Sequence, residues 1–220
     1  MARVPTGLPR LDINIGGYVG GMLYFIYGDE KSGKTSLALL AAVNAIKLGG
    51  KVIWVDCGQR MHVKRLSQVL STNKADASRF ILMSAKSFDE QEASVVSLLD
   101  GTPPCTRLLV LDDYTYLHRI EMKGEVKEDA PILKRLAFQT ASLKEVAITN
   151  DVPAIVVGQV HDVPGLGMKP VASRIVGYWS DVVIRLENAP ASLKLLVLEK
   201  GGMPIQQRFR ITDAGVEAVE

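Results

Sequence analysis

MLYFIYGDEKSGKTSLALLAAVNAIKLGG, residues Met22 to Gly50, reads as strand, turn and helix in immediate succession. Met22 to Tyr27 is a short apolar run rich in aromatic and branched residues, the composition of a buried strand. The part from Leu37 onward is rich in strong helix formers and stops at Gly49 and Gly50. Between them Gly28, Gly33, Lys34 and Thr35 occupy the fixed places of G-x-x-x-x-G-K-[ST]. Backbone N–H groups converge at such a turn, and the helix dipole favours negative charge there. The candidate phosphate-binding residues are therefore Gly28, Asp29, Glu30, Lys31, Ser32, Gly33, Lys34, Thr35 and Ser36. Lys34 reaches the terminal phosphates of a bound nucleoside triphosphate, and Thr35 ligates magnesium.

The pattern continues outward from this unit. Lys51–Asp56 (KVIWVD), Arg79–Ser84 (RFILMS), Arg107–Tyr114 (RLLVLDDY) and Val152–Val160 (VPAIVVGQV) read as further strands. HVKRLSQVL, SFDEQEASVVSLLDG and the segment from Pro131 to about Asn150 read as helices between them. His118 to Ala130 has the composition of a mobile loop, with Pro131 in the first turn of the helix that follows. His161 to Gly177, with its glycines and prolines, reads as a second long loop. DVVIRLE, LKLLVLEK and IQQRFRIT, separated by NAPAS and GGMP, form a β-meander. Strands alternating with helices and then a meander predict an α/β fold. Its central sheet is mostly parallel and flanked by helices, with antiparallel strands at one edge.

The 220 residues suit one such α/β domain, and a net charge of +2 neither announces nor excludes a nucleic-acid partner. Cys57 and Cys105 are far apart, and His62, His118 and His161 form no ligand cluster, so a disulfide framework and a zinc site are not expected. MARVPTGLPR has no signal-peptide core and no apolar run reaches membrane-spanning length, so the expectation is a cytoplasmic protein with no membrane partner.

LLVLDD carries two carboxylates to the carboxyl end of an apolar strand, where α/β sheets bind ligands. Asp112 is the better placed to hold magnesium through water beside the phosphate loop. Gln159, at the end of IVVGQ, either senses a terminal phosphate or is a polar strand end.

TGLPRLDINIGGYVGG, the phosphate loop, VIWVD, LLVLDD, VVGQV and IQQRFRITDAG follow in an order that resembles the ATPase core of the RecA/RadA recombinases. The resemblance covers nearly the whole chain and is closest to short archaeal RadA paralogues; KaiC-like ATPases share much of the pattern. It implies a RecA-like P-loop core using ATP and Mg²⁺. Lys34 and Thr35 serve phosphate and metal, Asp112 is the Walker-B acid, and Gln159 couples nucleotide state to the loop after it. It also implies two DNA-binding loops, one carrying Arg119, Lys123 and Lys127 and the other Lys169 and Arg174. Tyr114, Tyr116, Tyr178 and Trp179 lie near them, with core packing the expectation for Trp179. The partners so implied are single-stranded DNA and the RadA recombinase or its filament, with a nucleoid-associated location. The function implied is modulation of homologous recombination and DNA repair. The alternative is a KaiC-like regulatory ATPase acting through protein partners without DNA.

Three departures shape these expectations. Gly58 stands where the recombinases place the glutamate that activates water, leaving Gln59 as the nearest group able to orient one, so weak hydrolysis is expected. The family opening starts at about Val4, so the recombinases' helical N-terminal domain and polymerisation linker are not expected. Asp29, Glu30 and Lys31 replace the small residues usual in the phosphate loop, an arrangement expected to weaken triphosphate affinity. Lys200, before GGMP, reads as a surface lysine beside a hairpin turn.

Overall fold

The computed structural model describes residues 2–163, 167–170 and 172–219, with the side chains of 161–163, 167–170 and 173 outside the description. A two-stranded ribbon, β1 (Arg3–Val4) with β2 (Tyr18–Val19), brackets α1 (Pro9–Ile15). Then follow β3 (Leu23–Gly28), α2 (Lys34–Lys47), β4 (Lys51–Cys57), α3 (Val63–Thr72), β5 (Phe80–Ala85) and α4 (Phe88–Asp100). The middle of the chain holds β6 (Thr106–Asp112), α5 (Tyr116–Glu121), α6 (Val126–Asn150), β7 (Ala154–Val163) and β8 (Gly167–Pro170). Last come α7 (Ser173–Trp179), β9 (Val182–Asn188), β10 (Lys194–Lys200), β11 (Gln206–Thr212) and β12 (Gly215–Val219).

The central sheet runs β12-β11-β10-β9-β3-β7-β6-β4-β5, with β8 pairing antiparallel to β7 off this path. From β5 to β9 neighbouring strands are parallel, and from β9 to β12 they are antiparallel. This is the predicted α/β architecture, with the meander at one edge. Strand β3 is central and buried throughout. Its side chains alternate: Tyr24 and Ile26 face the core under α2, while Leu23, Phe25 and Tyr27 face the core under α4 and α6. Strands β4, β6 and β7 split in the same way, Val52 and Trp54 to one side and Ile53 and Val55 to the other. Both faces are covered, so the strands read as continuous apolar runs and not as alternating ones. Each fully buried branched side chain contributes roughly 1.5–3 kcal/mol, which makes the sheet a rigid platform for its carboxyl edge.

Two segments read as loops are more ordered than that. Within 118–130 the chain forms α5 and the start of α6, so Pro131 sits inside a helix. The cause is Asp129. Its buried carboxylate accepts the N–H groups of Lys123 (2.8 Å) and Gly124 (3.1 Å), tying the connection to the first turn and extending the helix upstream of the proline. Among the described residues of 161–177 the chain forms the rest of β7, strand β8 and most of α7. The strand-period reading ended β7 too early because His161 and Asp162 are polar, yet their backbones pair with Lys169 and Met168.

The aromatic expectations also change. Tyr114 is no surface for a base: it is fully buried, with its hydroxyl 2.8 Å from the Thr140 hydroxyl. Trp179, expected in the core, is 38% exposed at the end of α7, edge-on to the 77% exposed Tyr178.

Candidate phosphate site

The site begins where β3 ends. Gly28 has a φ of 150°, and a Cβ there would collide with the Leu186 carbonyl of β9, so only glycine lets the loop leave the sheet at this point. The loop is pinned by β9: Asp29 N–H donates to the Leu186 carbonyl (3.2 Å) and the Asn188 amide to the Glu30 carbonyl (3.1 Å). The Asp29 carboxylate accepts the Asn188 N–H at 3.4 Å, which turns that acid toward the meander. Gly33, in the left-handed conformation, opens α2 at Lys34.

Lys34 folds back over this turn, its ammonium donating to the carbonyls of Gly28 (2.9 Å) and Asp29 (2.5 Å). Burial lowers its pKa, against the pull of Asp113 and Asp112. Thr35 Oγ1 donates to Asp112 Oδ2 at 2.6 Å, joining the start of α2 to the end of β6. Burial pushes the Asp112 carboxyl up to about 7, against the Thr35 hydrogen bond. Asp113 is likewise raised, first by burial. Its Oδ1 accepts the Thr115 N–H (3.3 Å) and hydroxyl (3.2 Å), and Thr115 Oγ1 in turn accepts the N–H of Gln159 (3.0 Å). Gln159 pairs in register with Gly28 across β3 and β7.

These elements enclose a cavity of about 690 Å³, lined by Gly28, Lys34, Thr35, Asp112, Asp113 and Gln159 among others. It suits a nucleoside triphosphate with a divalent cation. The loop and helix start present backbone N–H groups, the ammonium sits over the turn, and a hydroxyl and a carboxylate already stand 2.6 Å apart. Thr35 and Asp112 are the residues that would hold the metal. Ser32 is fully buried with its hydroxyl unpartnered among the described residues, and Ser36 is half-buried in the first turn of α2. Lys31 and Glu30 line the cavity mouth.

Other sequence candidates fall differently. Gln59 is exposed with φ 56° and is not among the cavity-lining residues; its neighbour Arg60 is. Arg119 lies on α5 and lines the same cavity. Lys123 pairs with Glu128 at 2.8 Å on the surface, Lys127 lies in the first turn of α6, and Arg174 is exposed on α7. Lys169 pairs through its backbone with His161, and its side chain lies outside the described residues. Lys200 caps the end of α7, donating to the carbonyls of Gly177 (3.0 Å), Tyr178 (3.5 Å) and Ser180. Sequence reasoning missed Arg60, Trp54, Met61 and His62 as lining residues. The turn after β4 brings Arg60, Met61 and His62 there, whereas Trp54 arrives within β4 itself, and no motif spacing marks any of them.

A parallel sheet with a glycine-rich loop feeding a helix, and an acid at the end of a neighbouring strand, defines a P-loop nucleotide-binding core. The chain belongs to the RecA family of ATPases: residues 1–169 match the RecA N-terminal domain. Its relatives include the DNA repair and recombination protein RadB of Thermococcus kodakarensis, 34% identical over 98% of this chain and 99% of that protein. The protein of the same name from Methanocaldococcus jannaschii is 30% identical over 95% of this chain and 99% of its own length. Among solved structures, one described as the crystal structure of the RadB recombinase superposes with a TM-score of 0.81 at 33% identity, covering 99% of this chain and all of that one. Among the described residues, no helix is long and apolar enough to cross a membrane.

Proposed function

We propose that this protein is an ATP- and Mg²⁺-binding RadA paralogue that binds single-stranded DNA and modulates homologous recombination and DNA repair, acting on the RadA recombinase or its filament. The observation that carries the nucleotide part is the Thr35–Asp112 hydrogen bond at the start of α2, next to the loop over which the Lys34 ammonium folds. The recombination part is supported by relatives named DNA repair and recombination protein RadB, matched over nearly their whole length. Hydrolysis is slow, because Gly58 supplies no carboxylate and general-base help is worth roughly 10²–10⁴-fold. Arg119, Lys123, Lys127, Lys169 and Arg174 are the candidate DNA-facing cations, and binding through them is salt-sensitive and largely sequence-independent.

The deciding experiment is a fluorescence-anisotropy titration of a single-stranded oligonucleotide at low salt, with and without ATP. Binding by the intact protein, lost in a Lys169→Ala/Arg174→Ala variant, supports the reading. No binding at low salt overturns it in favour of a regulatory ATPase that works through protein partners.

A further inference from the structure

The turn after β4 holds a cation that neither the motifs nor the phosphate loop accounts for. Its backbone is closely determined. Gly58 has φ 88° and Gln59 φ 56°, so two successive left-handed residues reverse the chain. The buried Asp56 carboxylate then accepts the N–H of Arg60 (2.7 Å) and of Met61 (3.1 Å), fixing where residue 60 emerges. The Arg60 side chain lies on the Tyr116 ring, its guanidinium carbon 4.6 Å from the centroid. Tyr116 comes from α5, directly after β6, and reaches this position only because residue 58 has no side chain: a Cβ there would collide with the ring.

Arg60 thus reaches the cavity from the wall carrying β4, while Lys34 reaches it from β3 and α2. Among the described residues Arg60 makes no ion pair, although its charge is felt by Asp113 across the cavity. A guanidinium stacked on an aromatic face keeps its N–H donors in a planar fork that matches two phosphate oxygens. The lining carboxylate on the β4 wall, Asp56, is occupied by the turn itself.

We propose that Arg60, steadied by Tyr116, contacts the terminal phosphate of the bound nucleotide and sets the preference for triphosphate over diphosphate. The proposal rests on the nucleotide-binding reading above. It gives the absent side chain at residue 58 a positive role. The space that would house an acid houses an aromatic platform, and the platform carries a cation supplied by the same chain.

The test is the dissociation constant of a non-hydrolysable ATP analogue and of ADP, each with Mg²⁺, for the wild type and for R60A, R60Q, Y116F, Y116A and K34A. Thermal melts confirm folding. Loss of a charge-assisted fork is expected to weaken the triphosphate analogue by about 10-fold or more in R60A and R60Q, with ADP changed by less than about 3-fold. Y116F keeps the ring and the wild-type ratio, whereas Y116A falls between wild type and R60A. A wild-type ratio of analogue to ADP affinity in both R60A and R60Q overturns the proposal while leaving nucleotide binding intact. If the wild type binds the analogue no better than K34A, nucleotide binding itself fails and the role of Arg60 falls with it.

Discussion

Thr35 Oγ1 donates a hydrogen bond of 2.6 Å to Asp112 Oδ2 in the cavity, so the two candidate metal ligands lie in direct contact. The contact joins the start of α2 to the end of β6, elements separated in the chain but adjacent in the layered fold.

The burial of Asp112 carries a pH dependence. Burial raises the Asp112 carboxyl to about 7, above its unfolded value of about 3.9. A raised folded pKa means that stability from the protonated form is fully present below the unfolded value. It is lost as pH rises through the folded one. The melting temperature of wild type relative to Asp112→Asn should therefore fall between about pH 4 and pH 7. Mg²⁺ affinity should move the other way, weakening as pH drops below about 7, because the metal requires the carboxylate. Thermal melts and Mg²⁺ titrations across that range check both directions.

Gly58→Glu should not restore a water-activating acid. A left-handed conformation costs a non-glycine residue about 1–2 kcal/mol, and the new Cβ would also meet the Tyr116 ring. The expected outcome is a lower melting temperature with no gain in ATP turnover, measured by phosphate release.

His118 is fully buried on α5 against Phe88, and among the described residues neither ring nitrogen has a partner. Burial lowers its pKa to about 4. The folded value is depressed, so the stability held by the neutral ring is present above about pH 6.5 and declines as pH falls toward 4. His118→Leu removes both unsatisfied atoms and should stabilise the fold by about 1–3 kcal/mol. The gain should be larger at pH 5 than at pH 8, as read by denaturant melts at the two pH values.

Lys123 is held by Glu128 at 2.8 Å, with both side chains exposed. If this connection faces DNA, Glu128→Gln should tighten oligonucleotide binding at low salt, by no more than about 5-fold given the small worth of exposed pairs. The effect should vanish as salt rises. Anisotropy titrations at two salt concentrations measure it.

The order of buried strands and the spacing of Gly28, Gly33, Lys34 and Thr35 were legible because both are local: a period along the chain and a turn of fixed length. The acid at the end of LLVLDD was legible for the same reason, since an apolar parallel strand that ends in a carboxylate places it at the carboxyl edge of the sheet. The ordered turn before Pro131 was not, because it depends on Asp129 reaching back to the N–H groups of Lys123 and Gly124. Nor was the burial of Tyr114, which is set by Thr140 on α6.

Residue 58 shows the division most directly. In the sequence, Gly58 is a missing acid, and Gln59 stands next in line. In the structure the turn sends Gln59 outward and brings Arg60 to the cavity on a ring supplied by α5. The sequence by itself determined the nucleotide-binding core, because phosphate recognition here rests on consecutive backbone groups. That Arg60 joins Lys34 in lining the same cavity was decided only by tertiary structure, because its place there depends on two elements meeting over an empty Cβ position.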